Sequence, residues 1–407
     1  MTAHTPSSPA LKRVARGDLC AGCGACAAVS KGAIEMRLTN TGYLRPHQTA
    51  KLSESAEGTI RSACPGLVQK VAARGRKDHV LWGPYLSMRT GWATDDELRY
   101  RGASGGALSG LLAYALEAGE IIGALENKAD PDRAVANVPV IARTRADLLA
   151  AAGSRYAPSA PLAALPQGPG PYAFVGKPCD AAALRVLQGH DPALAAQFPL
   201  VISFFCAGVP SLFGGEALLE ALGVSSLETK SFRYRGHGWP GLATAVTEDG
   251  REASMTYYES WGRILSSRMQ HRCKLCADGT GKAADIVCAD AWETDENGYP
   301  LFDEAPGVSL IVARTEKGAA LLARAETAGA LYTEAFDVGQ LEAMQPGQSR
   351  RRQALLGRLC GQRMLGRPAP RYHGLQILKA ARTGSLVWSL RNFAGMIRRS
   401  LIGSKRP

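Results

Sequence analysis

Three cysteines near the N-terminus, spaced two residues apart, constrain the fold of this chain more than any other feature. Cys20, Cys23 and Cys26 lie in the segment LCAGCGACAAVSKGAI. A cluster-binding run of this spacing ordinarily continues with three residues, a fourth cysteine and a proline. Ser30 and Lys31 occupy those two positions here. The fourth ligand of such a site must therefore lie elsewhere in the chain.

The next cysteine is Cys64, in RSACPGL, and Pro65 follows it directly. In two-cluster proteins the fourth cysteine of each run ligates the other cluster, so a chain with one cluster fewer would keep a remote Cys-Pro. Soft thiolate ligands suit iron–sulfur clusters, whereas zinc sites usually use two C-x2-C pairs. The sequence predicts a 4Fe–4S cluster, with zinc as the alternative, on four ligands: Cys20, Cys23, Cys26 and Cys64.

Four further cysteines are candidates for a second four-thiolate site. Cys273 and Cys276 form a C-x2-C pair, while Cys179 and Cys206 each follow a short apolar run that predicts a buried strand. Functional groups in α/β folds commonly follow strands. Burial as small hydrophobic residues is an equal alternative for Cys179 and Cys206. Core packing is the default expectation for the two cysteines that remain, Cys288 and Cys360.

Two glycine-rich segments indicate a bound anion or a planar ligand. GASGGALSGLLAYALEAGEIIGAL predicts a turn, a helix and a strand, and the N–H groups at such a helix start suit a phosphate or a flavin edge. VGKPCDAAALRVLQG repeats the strand–turn–helix order. FRYRGHGWPG concentrates basic and aromatic side chains that would bind an anionic, planar ligand, although a hairpin rich in turn glycines is the preferred interpretation of this segment by itself.

The positive charge is concentrated at the C-terminus. The chain of 407 residues carries +12, and residues 350–407 hold fourteen Lys or Arg and no Asp or Glu, which leaves −2 for the rest. This distribution argues against a nucleic-acid-binding body. The tail segment GSLVWSLRNFAGMIRRSLIGSKRP predicts a helix that meets an anionic membrane surface, docks on an acidic partner or folds onto the body. Its predicted apolar stripe consists of Leu386, Leu390, Phe393, Ile397 and Leu401.

The order of the motifs resembles the coenzyme F420 hydrogenase/dehydrogenase beta-subunit family, which also includes 7-hydroxymethyl chlorophyll a reductase. The resemblance spans roughly Asp18 to Gly329 and rests on eight short segments. It implies FAD and iron–sulfur clusters that pass electrons to a second redox molecule, such as a deazaflavin or a tetrapyrrole. It also implies a second 4Fe–4S cluster on Cys179, Cys206, Cys273 and Cys276. The segments are LCAGCGACAAVSKGAIEM with GYLRP, GASGGALSGLLAYALEAG, GSRYAPS, FVGKPCDAAALRVL, FCAGVPS, FRYRGHGWPG, RCKLCADGTGKAADIVCADAW and GVSLIVARTEKG.

The predicted fold is mixed α/β (α+β). We expect a ferredoxin-like cluster region (1–80), two α/β regions that form the flavin-binding body (81–165 and 166–345) and a helical basic tail (346–407). No secretory signal or membrane-spanning apolar stretch is visible, which predicts a cytoplasmic protein with peripheral membrane association through the tail as one alternative.

The predicted function is a ferredoxin-linked iron–sulfur flavoprotein oxidoreductase. Its expected partners are ferredoxin or another electron-transfer protein and a small redox substrate, with no nucleic acid. The alternative is a non-catalytic electron-transfer subunit of a larger complex. His237 is the predicted proton donor because histidine titrates near neutrality, although a turn histidine without a role is as plausible. The predicted flavin-binding residues are Ser104, Gly105, Gly106, Lys177, Arg233 and Arg235.

Overall fold

The computed structural model describes residues 8–293, 301 and 303–402. The strands of this part of the chain form one large sheet and four small ones. In chain order they are β1 (Ile34–Leu38), β2 (Leu44–Gln48), β3 (Val68–Lys70), β4 (Lys77–His79), β5 (Gly83–Tyr85), β6 (Ser87–Ala93), β7 (Ala124–Ala129), β8 (Asn137–Ala142), β9 (Ala173–Gly176), β10 (Leu200–Phe204), β11 (Thr229–Arg233), β12 (Ala243–Thr247), β13 (Glu252–Met255), β14 (Ile286–Asp290), β15 (Ser309–Ala313), β16 (Leu331–Ala335) and β17 (Arg371–His373).

The α-helices surround the large sheet and build the two ends of the chain. In chain order they are α1 (Pro9–Gly17), α2 (Ala25–Val29), α3 (Glu54–Ala63), α4 (Asp96–Arg101), α5 (Ala107–Glu117), α6 (Arg145–Ala151), α7 (Pro178–His190), α8 (Pro192–Gln197), α9 (Leu212–Ala221), α10 (His271–Lys274), α11 (Glu316–Thr327), α12 (Leu341–Met344), α13 (Pro346–Gln353), α14 (Leu355–Met364), α15 (Ile377–Arg382) and α16 (Leu386–Ile402).

The large sheet has the strand order β16-β6-β15-β14-β10-β9-β7-β8. The four strands β14, β10, β9 and β7 pair in parallel, and the outer pairings are antiparallel. Strands β9 and β10 are continuous apolar runs because both faces of the sheet are covered there. The predicted strands at both segments and the predicted mixed α/β class are confirmed.

The parallel strands bring their carboxyl ends to one edge of the sheet. Strand β9 leads into Lys177, β10 leads towards Cys206 and β14 ends at Asp290. Ligands of open α/β sheets bind in the crevice outside the carboxyl ends of the strands. The sheet therefore places residues that are distant in sequence around one crevice.

The N-terminal region is a short helical layer with the β1–β2 hairpin. Gly24 lies between two of the clustered cysteines and has a φ of +85°. A Cβ at this position would lie 2.6 Å from the backbone nitrogen of Ala163. Glycine is thus required here both for the left-handed conformation and for the close approach of the neighbouring segment.

The C-terminal segment folds back onto the body. Strand β17 pairs in parallel with β3, and α16 lies against α14, where a Cβ on Gly361 would be 2.8 Å from the carbonyl oxygen of Phe393. Met396 is fully buried at this contact. The predicted tail helix is present, and it docks on the body.

The face of α16 that docks coincides only in part with the predicted apolar stripe. Asn392 and Met396 are buried, and Phe393 and Ile397 of the stripe are half-buried, whereas Leu386 and Leu390 are 74% and 57% exposed. Binding of the exposed leucines to a membrane or to an acidic partner stays a prediction. No helix in the described ranges is long and apolar enough to cross a membrane.

Candidate functional site

The four N-terminal cysteines line one small cavity. Cys20 follows the end of α1, Cys23 and Cys26 flank the start of α2, and Cys64 caps the C-terminus of α3. The other lining residues are almost all apolar. The structure therefore brings together the four thiols that the sequence nominated as one ligand set.

Burial dominates the electrostatics of this first cysteine group. It raises the pKa of all four thiols, that of Cys64 to about 11. The thiolate of Cys20 raises the pKa of Cys26 and Cys64 further. Four neighbouring thiols that resist ionisation require a positive centre to become thiolates, and bound iron supplies one. The donor set of the first group fits an iron–sulfur cluster.

The second group consists of the four predicted cysteines near the crevice. Burial raises the pKa of Cys179 and also raises that of Cys206 to about 12. The thiolates of Cys206 and Cys276 add to the rise at Cys179, and those of Cys273 and Cys276 add to the rise at Cys206. The backbone N–H of Val209 donates to the Cys273 sulfur at 3.3 Å. The four side chains are thus electrostatic neighbours, and this group also supplies four thiolates.

Residues of the C-terminal segment hold the loops of the second group. Arg351 donates to the carbonyl oxygens of Cys206 at 2.9 Å and of Cys273 at 3.2 Å. Gln348 also donates to the carbonyl oxygen of Cys206, at 3.2 Å. Sequence reasoning did not find these contacts because more than 75 residues separate each donor from its acceptor.

Arg272 is a buried cation between the two cysteine groups. Its Nη2 donates to the carbonyl oxygen of Pro65 at 2.8 Å and to Gln69 Oε1 at 3.2 Å. Burial raises the pKa of Cys20 and Cys64, and the Arg272 charge opposes that rise. Nε and Nη1 of Arg272 have no hydrogen-bond partner in the described part of the chain. The charge of the second group also acts on Arg272, through Cys276, Cys179 and Cys273.

Among the described residues, no group of three or more His, Cys, Asp or Glu side chains has the arrangement of a metal-ion site.

The crevice at the sheet edge collects several of the predicted flavin-binding residues. Ser104 and Gly106 at the start of α5, Lys177 at the start of α7 and Arg235 all line it. Cys206 of the second group lines the same crevice. A ligand bound there would therefore lie beside the second cysteine group.

Two of the three cations that line the crevice are paired with carboxylates, and the third, Arg155, donates only to neutral oxygens. Lys177 Nζ lies 2.7 Å from Asp180 Oδ2 and 3.1 Å from Ser159 Oγ. Arg235 donates to both carboxylate oxygens of Asp290, at 2.8 and 3.1 Å. These pairs fix the orientation of the cations at the crevice wall.

Two residues of β7 that sequence reasoning missed also line the crevice. Glu126 Oε1 and Asn127 Oδ1 are buried and have no hydrogen-bond partner in the part of the chain that the structure describes. Burial is the main cause that raises the pKa of the Glu126 carboxyl to about 8. The sequence feature that could have indicated these two residues is the polar pair EN directly after the apolar run IIGAL. Unpaired buried acceptors facing a crevice fit a ligand that carries hydrogen-bond donors, as the hydroxyl and N–H groups of FAD do.

Gly105 and Arg233 do not line the crevice. Gly105 has a φ of +57°, and a Cβ there would lie 2.8 Å from the backbone nitrogen of Ser309. Arg233 Nη2 donates to Thr244 Oγ1 at 3.0 Å, on the neighbouring strand β12. Gly105 thus acts through backbone packing behind the crevice, and Arg233 lies in the small sheet.

His237 is exposed and also lies outside the crevice lining. Its ring is 5.2 Å from that of Tyr100, and its φ is +56°. Partial burial lowers its pKa, and the charges of Arg233 and Arg101 lower it further. Its role as proton donor stays a prediction.

The two remaining cysteines differ from each other. Cys288 is buried in β14, as expected. Cys360 is exposed on α14, so the expectation of core packing is wrong for this residue. The docked face of α14 is formed instead by Gly357 and Gly361, which contact α16.

The fold and the site together define an α/β protein with two four-cysteine groups, the second of which borders a crevice at the edge of a mixed sheet. Two family models match this chain, and together they cover more than half of it. The model of the coenzyme F420 hydrogenase/dehydrogenase beta subunit N-terminal region matches residues 88–166, and that of its C-terminal region matches residues 170–338. The chain belongs to this family, which is one of oxidoreductase subunits.

Two curated relatives agree with the family, and a solved structure shares the fold. The chain is 26% identical over 269 residues to the coenzyme F420 hydrogenase subunit beta of Methanococcus voltae, covering 63% of this chain and 86% of that protein. It is 26% identical over 276 residues to the same subunit of Methanothermobacter thermautotrophicus, covering 65% and 88%. A chain of the F420-reducing NiFe hydrogenase complex from Methanosarcina barkeri shares the fold, with a TM-score of 0.53, 21% identity and coverage of 70% of this chain and 95% of that one.

Proposed function

We propose that this protein is an iron–sulfur flavoprotein oxidoreductase that moves electrons between two 4Fe–4S clusters, FAD and a second redox molecule. The observation that carries the proposal is that the second cysteine group adjoins the crevice, since Cys206 belongs to this group and also lines the crevice. The first cluster would be held by Cys20, Cys23, Cys26 and Cys64, and the second by Cys179, Cys206, Cys273 and Cys276.

The crevice would hold FAD. Bound 4Fe–4S clusters supply one-electron chemistry, and bound FAD supplies the conversion between one-electron and two-electron transfer. The N–H groups at the start of α5, beside Ser104 and Gly106, suit its anionic phosphates. Arg155 forms no ion pair with a described carboxylate and places a positive charge on the crevice wall, which favours an anionic reduced ligand. Glu126 and Asn127 offer the unpaired acceptors.

Glu126 is the crevice residue best suited to hold a proton. Its carboxyl is buried and its pKa is raised to about 8, so it is protonated at neutral pH. An acid that titrates near the working pH transfers protons efficiently. We assign proton supply at the crevice to Glu126, with the exposed His237 as the second candidate.

The substrate class is proposed from the relatives. Their names give coenzyme F420, a deazaflavin, as the molecule on which the hydrogenase acts. A deazaflavin or another planar, anionic redox molecule suits a crevice wall with a fixed cation and aromatic side chains such as Tyr156 and Trp261. An electron-transfer subunit of a larger complex is the second candidate, because the solved structure of similar fold is part of a complex.

Metal and flavin analysis of anaerobically purified protein tests the proposal. We expect about eight iron and eight sulfide ions and one FAD per chain, with broad absorbance beside the flavin bands. Cys276→Ser should remove about half of the iron, whereas Cys360→Ser, at the exposed cysteine, should remove none. A colourless protein that contains zinc would refute the proposal. Reduction of added coenzyme F420 by the isolated chain would separate the enzyme from the non-catalytic subunit.

A further inference from the structure

Seven arginines from distant parts of the chain line two adjoining cavities beside the first cysteine group. We call this surface the arginine groove. The two cavities have volumes of about 1050 and 370 Å³, and they share Arg13 and Arg371. Its arginines are Arg13, Arg16, Arg61, Arg185, Arg363, Arg367 and Arg371.

Most of the charge of the arginine groove is not neutralised by the described residues. No Asp or Glu lines either cavity in the described ranges. Arg185 forms an ion pair with Asp285 at 2.6 Å, whereas none of the other six arginines forms an ion pair with another described residue. Five of the seven are exposed, and Arg185 and Arg367 are half-buried. Clustered, uncompensated charge of this kind raises the local concentration of an oppositely charged partner.

The floor of the arginine groove lies against the first cysteine group. Ala63 and Pro65 line the groove and flank Cys64 in the chain. Gln69 also lines it, is only 4% exposed and accepts a hydrogen bond from Arg272. Nε2 of Gln69 has no partner among the described residues. A partner seated in the groove would therefore be separated from the Cys64 site by a single layer of residues.

We propose that the arginine groove docks an acidic electron-carrier protein, which exchanges electrons with the site of Cys64. One electron leaves the reduced carrier, which becomes oxidised, and enters the first four-cysteine site, which becomes reduced; no bond forms or breaks. This inference rests on the proposed function, because it requires a redox centre at that site. The spread of the cations over two cavities matches an extended acidic surface rather than a single phosphate.

Charge reversal in the arginine groove tests the inference. The groove variant combines Arg13→Glu, Arg363→Glu and Arg371→Glu in the full-length holoprotein. The matched control makes the same change in net charge at exposed, unpaired residues elsewhere and combines Lys230→Glu, Lys379→Glu and Arg391→Glu. The probe is an acidic bacterial ferredoxin with two 4Fe–4S clusters. Binding is measured by isothermal titration calorimetry at low and at about 0.15 M salt, and cluster reduction by stopped-flow absorbance.

We expect the groove variant to bind ferredoxin at least about tenfold more weakly than the control and to lose most of the salt dependence. Its reduction by ferredoxin should slow in parallel, whereas reduction by dithionite should equal that of the control. Equal binding by the two variants would overturn the inference. Salt-dependent loss of binding to a DNA oligonucleotide, with ferredoxin binding unchanged, would also overturn it.

The design separates this inference from the proposed function. If dithionite fails to reduce the wild-type protein, the proposed redox centre is wrong. If dithionite reduces the protein but ferredoxin does not bind it, only the docking inference is wrong. Should the triple variant lose iron, the single change Arg363→Glu, at the exposed end of α14, gives the same comparison with Lys379→Glu.

Discussion

The raised pKa of the Glu126 carboxyl provides a test of its assignment as the proton-holding group of the crevice. Burial raises its pKa from an ordinary 4.5 to about 8. Between these two values the folded protein binds a proton that the unfolded chain releases. The free energy of unfolding therefore falls as the pH rises through this window, by up to about 1.4 kcal/mol per pH unit.

Replacement by glutamine removes the titration and keeps the shape of the side chain. From pH 6 to pH 8 the wild-type protein should lose roughly 2 kcal/mol of stability through this group. Glu126→Gln should lose none of this stability between pH 6 and pH 8. The difference in the free energy of unfolding between the variant and the wild-type protein should therefore change by roughly 2 kcal/mol in favour of the variant. The measurement is denaturant unfolding at pH 6, 7 and 8.

The control is Glu117→Gln, which makes the same chemical change at an exposed position of α5. This variant should follow the wild-type pH dependence. An identical pH dependence of Glu126→Gln and wild type would show that Glu126 is ionised in the folded protein. Its assignment as the proton-holding group of the crevice would then be refuted.

Three further predictions concern the cysteine groups and the tail. Arg272→Met should shift the reduction potentials of both clusters to more negative values, by on the order of 100 mV, because the buried positive charge favours the reduced state. Redox titration followed by electron paramagnetic resonance measures this shift, and unchanged potentials would contradict the prediction. Lys177→Met should cost about 3–5 kcal/mol in denaturant unfolding, because Asp180 stays buried without its partner; Lys177→Arg should recover part of the loss. Truncation after Pro370 should reduce solubility and iron content, because Met396 no longer covers α14; a soluble truncated protein with full iron would show that the docked helix is dispensable.

The sequence nominated both cysteine groups, whereas it did not indicate the side chains that surround them. Spacing within LCAGCGACAAVSKGAI and the Cys-Pro at Cys64 were sufficient to nominate the first group, because covalent proximity fixes three of its four members. Arg351 was not predictable in this way, since its bonds to the loops of the second group depend on how the tail packs. Glu126 was not predicted because a polar residue in a strand is equally consistent with a position that faces solvent.

Of the three predicted flavin-binding residues in the turn before α5, two line the crevice and one does not. Ser104 and Gly106 line the crevice because the turn before α5 opens towards it. Gly105 lies between them in sequence but faces the backbone at Ser309, where a Cβ would not fit. Because successive residues of a tight turn point in different directions, the sequence motif alone does not show which of them contact a ligand.

The first turn of α7 explains why the three sites lie so close together. Lys177 faces the crevice, and Cys179 belongs to the second cysteine group. Burial raises the pKa of Cys23, and the charge of Asp180 raises it further, so Asp180 borders the first group. Lys177 and Asp180 are three residues apart and lie on one side of this turn, where they form an ion pair at 2.7 Å. The tetrapeptide KPCD thus supplies one residue to the crevice wall, one to the second cysteine group and one beside the first cysteine group.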